Sequence, residues 1–467
     1  MLKKVLLTAL TASMVLGAGQ MAFAENEFVE VDYQTHFIKW DGETTEEDFT
    51  EEEFNNLTLT TVYRSEESPT GYKVTFRFKD EGYETVELAG EWYYSEPYYS
   101  SQNSAAKIHP TEWYNGCLIH TDDVNPVRPF DQMELNEETG YWAYTMPLAS
   151  GTYCYQFRLD GTKTISDPQN LPTEYRGLEA YSQVLVPYDA EKQSLSPDYS
   201  VYQDNCEERG RILFAEVPSE ALGYDAPIGI YLPYGYDENK EGGYKYLILG
   251  HGIAGFESNW TAQGMLGNIT DNLIAEGLVE PMIVITTNNR DKDGIYFCST
   301  VNADGSRITS IDGEPVSNAA TSSIPSYSKQ VSQAQPYVID ELIPWLEEHF
   351  NVSKEAKDRA FSGLSAGAMA TFNMYMSNPE DFGYFYMMSG ANADPTSYDL
   401  TRESLKVPSV TFGIGIYDRL FFGQVNPTQN AFAANGIPFT TKYVFGAHRW
   451  HVWRELYIDL LTRILWK

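Results

Sequence analysis

From about Tyr72 to Pro187 apolar and polar positions alternate with period two, as in Val74-Thr-Phe-Arg-Phe78, Val86-Glu-Leu-Ala-Gly90, Trp142-Ala-Tyr-Thr-Met146 and Tyr153-Cys-Tyr-Gln-Phe-Arg-Leu159. Such alternation predicts strands with one buried face, and Thr139-Gly140 and Asp160-Gly161 supply turns between them. A stretch of roughly 110 to 130 residues suits an all-β sandwich. Beyond Gly210 the rhythm changes. Short apolar runs, Ile228–Leu232, Tyr246–Leu249, Met282–Thr286, Arg359–Ser362, Val410–Gly415 and Phe439–Val444, alternate with helical stripes. Val338, Leu342, Trp345, Leu346 and Phe350 make one such stripe, and an amphipathic helix over Val452 to Leu465 closes the chain. Continuous apolar strands between helices predict a mostly parallel α/β sheet buried on both faces.

Three segments fall outside these patterns. Residues 1–24 combine Lys3 and Lys4, an apolar stretch short for a membrane span, and Ala22-Phe23-Ala24, which reads as a secretory signal peptide cut after Ala24. Residues 25–70 form an acidic arm, read as a solvated face, and 189–209 a polar linker. The expected organisation is therefore signal 1–24, arm 25–70, β module 71–188, linker 189–209 and α/β domain 210–467. Within that domain Asn288 to Ser332 is rich in Ser, Asn, Asp and Gly. Following a strand, it should emerge at the carboxyl edge of the sheet, as a specificity loop or an ordinary surface insertion.

Charge narrows the range of partners. Among 467 residues, 66 acidic side chains outnumber 32 basic ones for a net charge of −34, and no basic patch offsets this. Nucleic acid and anionic membrane surfaces are thus disfavoured as partners, and a neutral or weakly charged substrate fits better. Cys117, Cys154, Cys206 and Cys298 lie too far apart for a zinc or redox motif, and their pairing stays open among three connectivities. Asn289-x-Asp291-x-Asp293-Gly294 has the start of a calcium loop, but Thr300 stands where a bidentate Glu is needed. No metal is expected.

Gly363-Leu-Ser-Ala-Gly367 stands between a strand and a helix-compatible run. That context makes the Gly-x-Ser-x-Gly pattern, common by itself, a nucleophile elbow carrying Ser365. A serine hydroxyl needs a histidine base and a carboxylate to orient the base, and in this fold they follow in the order Ser, Asp, His. Only His448 and His451 lie downstream. His448 is in a loop just after a strand and is the preferred base, whereas His451 opens the last helix. Asp418 directly follows the Val410–Gly415 strand, while the alternatives Asp394 and Asp399 have no strand to deliver them. For the oxyanion, the N–H of Ala366 and that of Ile253, in Leu249-Gly-His-Gly-Ile253, are the expected donors. Trp260 and Trp450 are candidates for substrate contact. This chemistry needs no cofactor.

Further motifs resemble the esterase family that contains bacterial feruloyl esterases of carbohydrate esterase family 1 and the related esterase D proteins. They are Ile230-Tyr-Leu-Pro-Tyr-Gly-Tyr-Asp237, Leu249-Gly-His-Gly252, Asp340-Glu-Leu-Ile-Pro344, Gly363-Leu-Ser-Ala-Gly367 and Gly446-Ala-His-Arg-Trp-His-Val-Trp453. The N-terminal module is similar to early-set, glycogen-binding-like sandwiches, through Val86-Glu-Leu-Ala-Gly-Glu-Trp92 and Asp167-Pro-Gln-Asn170. The resemblance implies an α/β-hydrolase fold preceded by an immunoglobulin-like sandwich. It also implies a secreted serine esterase using Ser365, His448 and Asp418, with feruloyl esters of plant cell-wall polysaccharide as substrate; the rivals are an acetyl-xylan or other short-acyl esterase, and a carbohydrate-binding protein with an inactive hydrolase domain. The aromatic run from Trp92 to Tyr99 could stack on sugars or serve core packing.

Overall fold

The structure, a computed structural model, describes residues 28–31, 38–39, 41–95, 108–119, 130–170, 174–176, 179–194, 206–252, 255–288, 310–311, 314–315, 336–391, 395, 398–418, 421–446 and 448–467. The signal segment, most of the Asn288 to Ser332 insertion with the calcium-like pattern and Cys298, Ile253, Asp394 and residues 96–99 of the aromatic run lie outside them.

Nine strands form the principal sheet. Their spatial order is Val29–Val31, Arg211–Val217, Ala226–Leu232, Ile283–Thr287, Tyr246–Gly250, Arg359–Leu364, Tyr384–Met388, Ser409–Gly415 and Thr440–Val444. The first four pair antiparallel in turn, and from Ile283–Thr287 onward every pairing is parallel. Every residue of Tyr246–Gly250 and Ile283–Thr287 is buried, as expected for strands covered on both faces. Side-chain alternation sends Ile248, Phe361, Phe385 and Phe412 into one apolar core, with helix Ala366–Ser377 and helix Phe422–Ala434. It sends Leu247, Leu249, Ala360 and Tyr386 into the opposite core, with helix Leu266–Ala275 and helix Trp450–Asp459. This is an α/β-hydrolase-like arrangement in which the carboxyl ends of the parallel strands share one edge.

The N-terminal region is sheet-rich. Thr61–Arg64, Tyr72–Lys79, Tyr141–Pro147 and Glu134–Asn136 form one antiparallel sheet; Glu174–Arg176, Glu179–Val186, Gly151–Leu159, Val86–Gly90 and Phe130–Gln132 form another. They share one core. Phe76 packs on Tyr155 at 4.8 Å, Phe78 on Phe157 at 5.0 Å, and fully buried Trp92 meets Phe76 at 5.1 Å.

Two expected boundaries need correction. The acidic arm supplies strands: Thr61–Arg64 pairs with Tyr72–Lys79, and Val29–Val31 pairs with Arg211–Val217. Between them Thr50 and Glu53 cap the short helix Glu51–Asn55 reciprocally. The acidic side chains thus cap and solvate segments whose apolar residues, Val62 and Tyr63, are buried. The start of the expected linker is also packed, for buried Asp189 pairs with Arg64 at 3.2 Å. No disulfide joins Cys117, Cys154 and Cys206 to one another, and the Cys154 sulfur accepts hydrogen bonds from Gln183 and Gln263. Among the described residues no helix is long and apolar enough to cross a membrane.

Candidate active site

Strand Arg359–Leu364 turns into helix Ala366–Ser377 through Ser365, whose backbone sits at φ 53° and ψ −113°. A non-glycine residue held there is strained, and neighbouring structure must hold it. The Ser365 N–H donates to the Met388 carbonyl at 2.9 Å, and its own carbonyl accepts from the N–H groups of Ala368 and Met369. Close packing explains the flanking glycines. A Cβ on Gly363 would lie 2.6 Å from the Gly367 carbonyl carbon, and one on Gly367 would lie 2.7 Å and 2.8 Å from the carbonyl oxygens of His251 and Gly250. Backbone atoms cannot swing aside as a side-chain end can. Gly367→Ala is therefore expected to destabilise the fold by about 1–3 kcal/mol and to displace the elbow; chemical denaturation and turnover, measured together, check both effects.

The second half of the site comes from two loops stitched together at the same sheet edge. The Ile416 N–H donates to the Val444 carbonyl, and the Tyr417 N–H to the Gly446 carbonyl. This brings His448 Nδ1 to 2.8 Å from Asp418 Oδ2. Asp418 is fully buried, and its Oδ1 accepts the Phe421 N–H at 3.2 Å. A buried carboxylate accepting at both oxygens holds the proton of the imidazole on Nδ1 and leaves Nε2 as the basic nitrogen. Phe421 stacks on the His448 ring at 5.0 Å, and Trp453 meets it edge-on at 4.9 Å, so the imidazole is clamped between aromatic groups.

The remaining candidates separate clearly. Ala366 begins the helix, where its N–H has no intrahelical acceptor and is free to face an anion. Ile253 lies outside the described residues, but the adjoining backbone at Gly252 is close enough that a Cβ there would sit 3.4 Å from the Ser365 Cβ. Asp399 is occupied in an exposed turn, accepting from the Thr401 hydroxyl and N–H, and those bonds lower its carboxyl pKa. His451 packs its Nε2 against Gly446, and its pKa is pushed down to about 3, first by burial and then by Arg454 and Arg449. That depression favours its neutral form near pH 7, and among the described residues it is His448, not His451, that bonds Asp418.

That depressed value has a consequence for stability. The unfolded histidine takes up a proton near pH 6.5, but the folded one does so only near pH 3. Stability should fall as pH drops through this window, by at most about 1.4 kcal/mol per pH unit from this group. His451→Gln is expected to flatten that acid limb, as read from urea denaturation at pH 7, 5 and 4.

Trp260 does not reach a substrate. It is fully buried, and its indole N–H donates to the Gly250 carbonyl at 3.0 Å. A buried indole needs an acceptor, and here it finds one at the end of the Tyr246–Gly250 strand. Trp450 is half-buried and links Trp260 at 5.2 Å to Trp453 at 5.1 Å, so the indoles run as a chain to the His448 ring. Phe421 and Trp453 were not among the sequence candidates. Trp453 could have been found from its i, i+3 spacing to Trp450 in the helix following His448. Among the described residues no cluster of three or more His, Cys, Asp or Glu could hold a metal ion.

A family profile described as "Putative esterase" matches residues 219–464, more than half of the 467-residue chain. The chain belongs to the Putative esterase family. Ser365, Asp418 and His448 all fall inside the matched segment. Among curated relatives, an "Endo-1,4-beta-xylanase/feruloyl esterase" from Xylanibacter ruminicola is 27% identical over 339 residues, covering 71% of this esterase and 41% of the relative. "Endo-1,4-beta-xylanase Y" from Acetivibrio thermocellus is 24% identical over 200 residues, 40% of this chain and 15% of that one. The esterase thus spans less than half the length of either relative. Among solved structures, a CE1 ferulic acid esterase from Anaeromyces mucronatus aligns with a TM-score of 0.46 at 16% identity, covering 58% of this esterase and 97% of that chain. An enterobactin esterase from Shigella flexneri aligns with a TM-score of 0.49 at 14% identity, covering 89% and 98% respectively.

Proposed function

We propose that this esterase is exported and releases ferulate or related hydroxycinnamates from arabinoxylan through a Ser365, His448, Asp418 triad. The observation that carries the mechanism is the 2.8 Å bond from His448 to fully buried Asp418, at the sheet edge that also holds the strained serine elbow. His448 Nε2 takes the Ser365 proton as the hydroxyl oxygen attacks the ester carbonyl. The N–H groups of Ala366 and Ile253 receive the oxyanion. His448 then returns the proton to the leaving alcohol, and water attacks the acyl-enzyme by the same route in reverse.

The substrate reading rests on the Xylanibacter ruminicola relative, whose name joins xylanase and feruloyl esterase, over 71% of this chain. A net charge of −34 suits a neutral glycan ester better than a polyanion. In this reading residues 1–24 direct export. The paired N-terminal sheets form an immunoglobulin-like, early-set sandwich of the carbohydrate-binding kind.

The experiment is acid release from feruloylated arabinoxylan oligosaccharides and acetylated xylan side by side, with Ser365→Ala as the blank. Ferulate that appears with the wild type and vanishes in the variant is the expected result. Acetate alone would keep the triad and replace the acyl group. Release of no acid from either substrate would overturn the substrate reading.

A further inference from the structure

Large apolar side chains exposed at the surface are few among the described residues, and three of the seven, Ile416 at 41%, Tyr443 at 50% and Phe445 at 39%, stand together at the carboxyl ends of the last two parallel strands. The others, such as Tyr234 and Val407, are scattered and belong to the opposite sheet edge or to the N-terminal sheets. Two ring pairs extend the group: half-buried Tyr417 meets Phe445 at 5.4 Å, and half-buried Phe422 stacks on Tyr443 at 6.1 Å with planes 24° apart. Phe421, next in the chain to Phe422, stacks on the catalytic imidazole. The group therefore sits on the same two loops that carry Asp418 and His448.

Which side of the substrate faces it follows from the chemistry. The histidine that takes the serine proton gives it to the leaving alcohol, so the alcohol half of the ester lies on the His448 side and the acyl half lies away from it. An alcohol that is a sugar presents flat faces of C–H groups with hydroxyls around the rim. Exposed aromatic rings suit those faces, since they offer apolar area and ask for no hydrogen bond. We propose that Tyr417, Phe422, Tyr443 and Phe445 form a sugar-stacking strip that holds the glycan on the alcohol side of the scissile ester. This rests on the triad reading above.

A second copy of the chain is the rival occupant. Thr440–Val444 is the last strand of the sheet, but Lys442 on it, ion-paired with Asp459 at 3.8 Å, keeps its side chain 41% exposed, a charged group that discourages edge pairing. Two copies, each at −34, would also repel.

The test separates glycan binding from ester turnover. Ester-free arabinoxylan oligosaccharide is titrated calorimetrically into the full wild-type chain, into Tyr443→Ala/Phe445→Ala and into Tyr443→Leu/Phe445→Leu, which keeps apolar bulk without flat rings. Tyr234→Ala is the control at the other sheet edge. Binding to the wild type that weakens about tenfold or more in both double variants, but not in the control, is expected. The ratio of kcat/KM for the feruloylated oligosaccharide to that for methyl ferulate should fall in parallel, mainly through KM. No oligosaccharide binding by the wild type, equal binding by the double variants, or a wild-type dimer that the double substitution splits would each overturn the strip. Methyl ferulate hydrolysis by the wild type decides the ester reading separately.

Discussion

Ser365→Ala is expected to lower kcat by at least about 10⁴-fold while leaving the fold and substrate binding in place. The argument is local. Ser365 N–H and carbonyl are held by Met388, Ala368 and Met369, all through the backbone, so removing the hydroxyl frees no structural partner. Alanine keeps the Cβ and the strained φ of 53°, so the elbow should stay as it is. Oxyanion donors and bound substrate would still give some rate over water, which is why the loss is large but finite. Single-turnover measurement of ferulate release, with circular dichroism as a folding control, checks it. Full turnover in the folded variant would assign the nucleophile elsewhere.

Asp418→Asn should cost a comparable factor, about 10⁴ in kcat, by another route. Asp418 touches no substrate; it is fully buried behind His448. An asparagine in its place can keep the Phe421 N–H on its carbonyl oxygen. Its amide NH₂ would then donate to Nδ1, moving the imidazole proton to Nε2, where the base should be. Size and shape are preserved while the tautomer is inverted. A loss in kcat, with KM nearly unchanged and the thermal midpoint within a few degrees, is the expected signature. A variant that merely unfolds would show the reverse.

Much of the site was legible because the fold delivers it by strand order. Ser365 and Asp418 each follow an apolar strand, and His448 follows a third in its loop, so position along the chain predicts the shared edge. Asp399, with no strand behind it, is bound in its own turn. What escaped was decided in three dimensions. Three residues, Val29 to Val31, are too few to show a period, and their partner Arg211–Val217 lies some 180 positions away. Trp260 reads as a contact residue until the Gly250 carbonyl claims its N–H. Phe421 looks like half of an apolar pair, and only the folded loop puts it on His448.

The early strand Val29–Val31 also changes how the two regions can behave mechanically. It leaves the principal sheet before the N-terminal sheets begin, and the chain rejoins that sheet at Arg211 after they end. The N-terminal region is accordingly a loop insertion held at both ends, not a bead on one string. Two tethers confine it far more than one, keeping its local concentration beside the α/β unit high even if noncovalent contacts such as Arg449 to Glu91 at 3.5 Å open transiently. Proteolytic nicking between the sheets would leave both parts still paired through the edge strand.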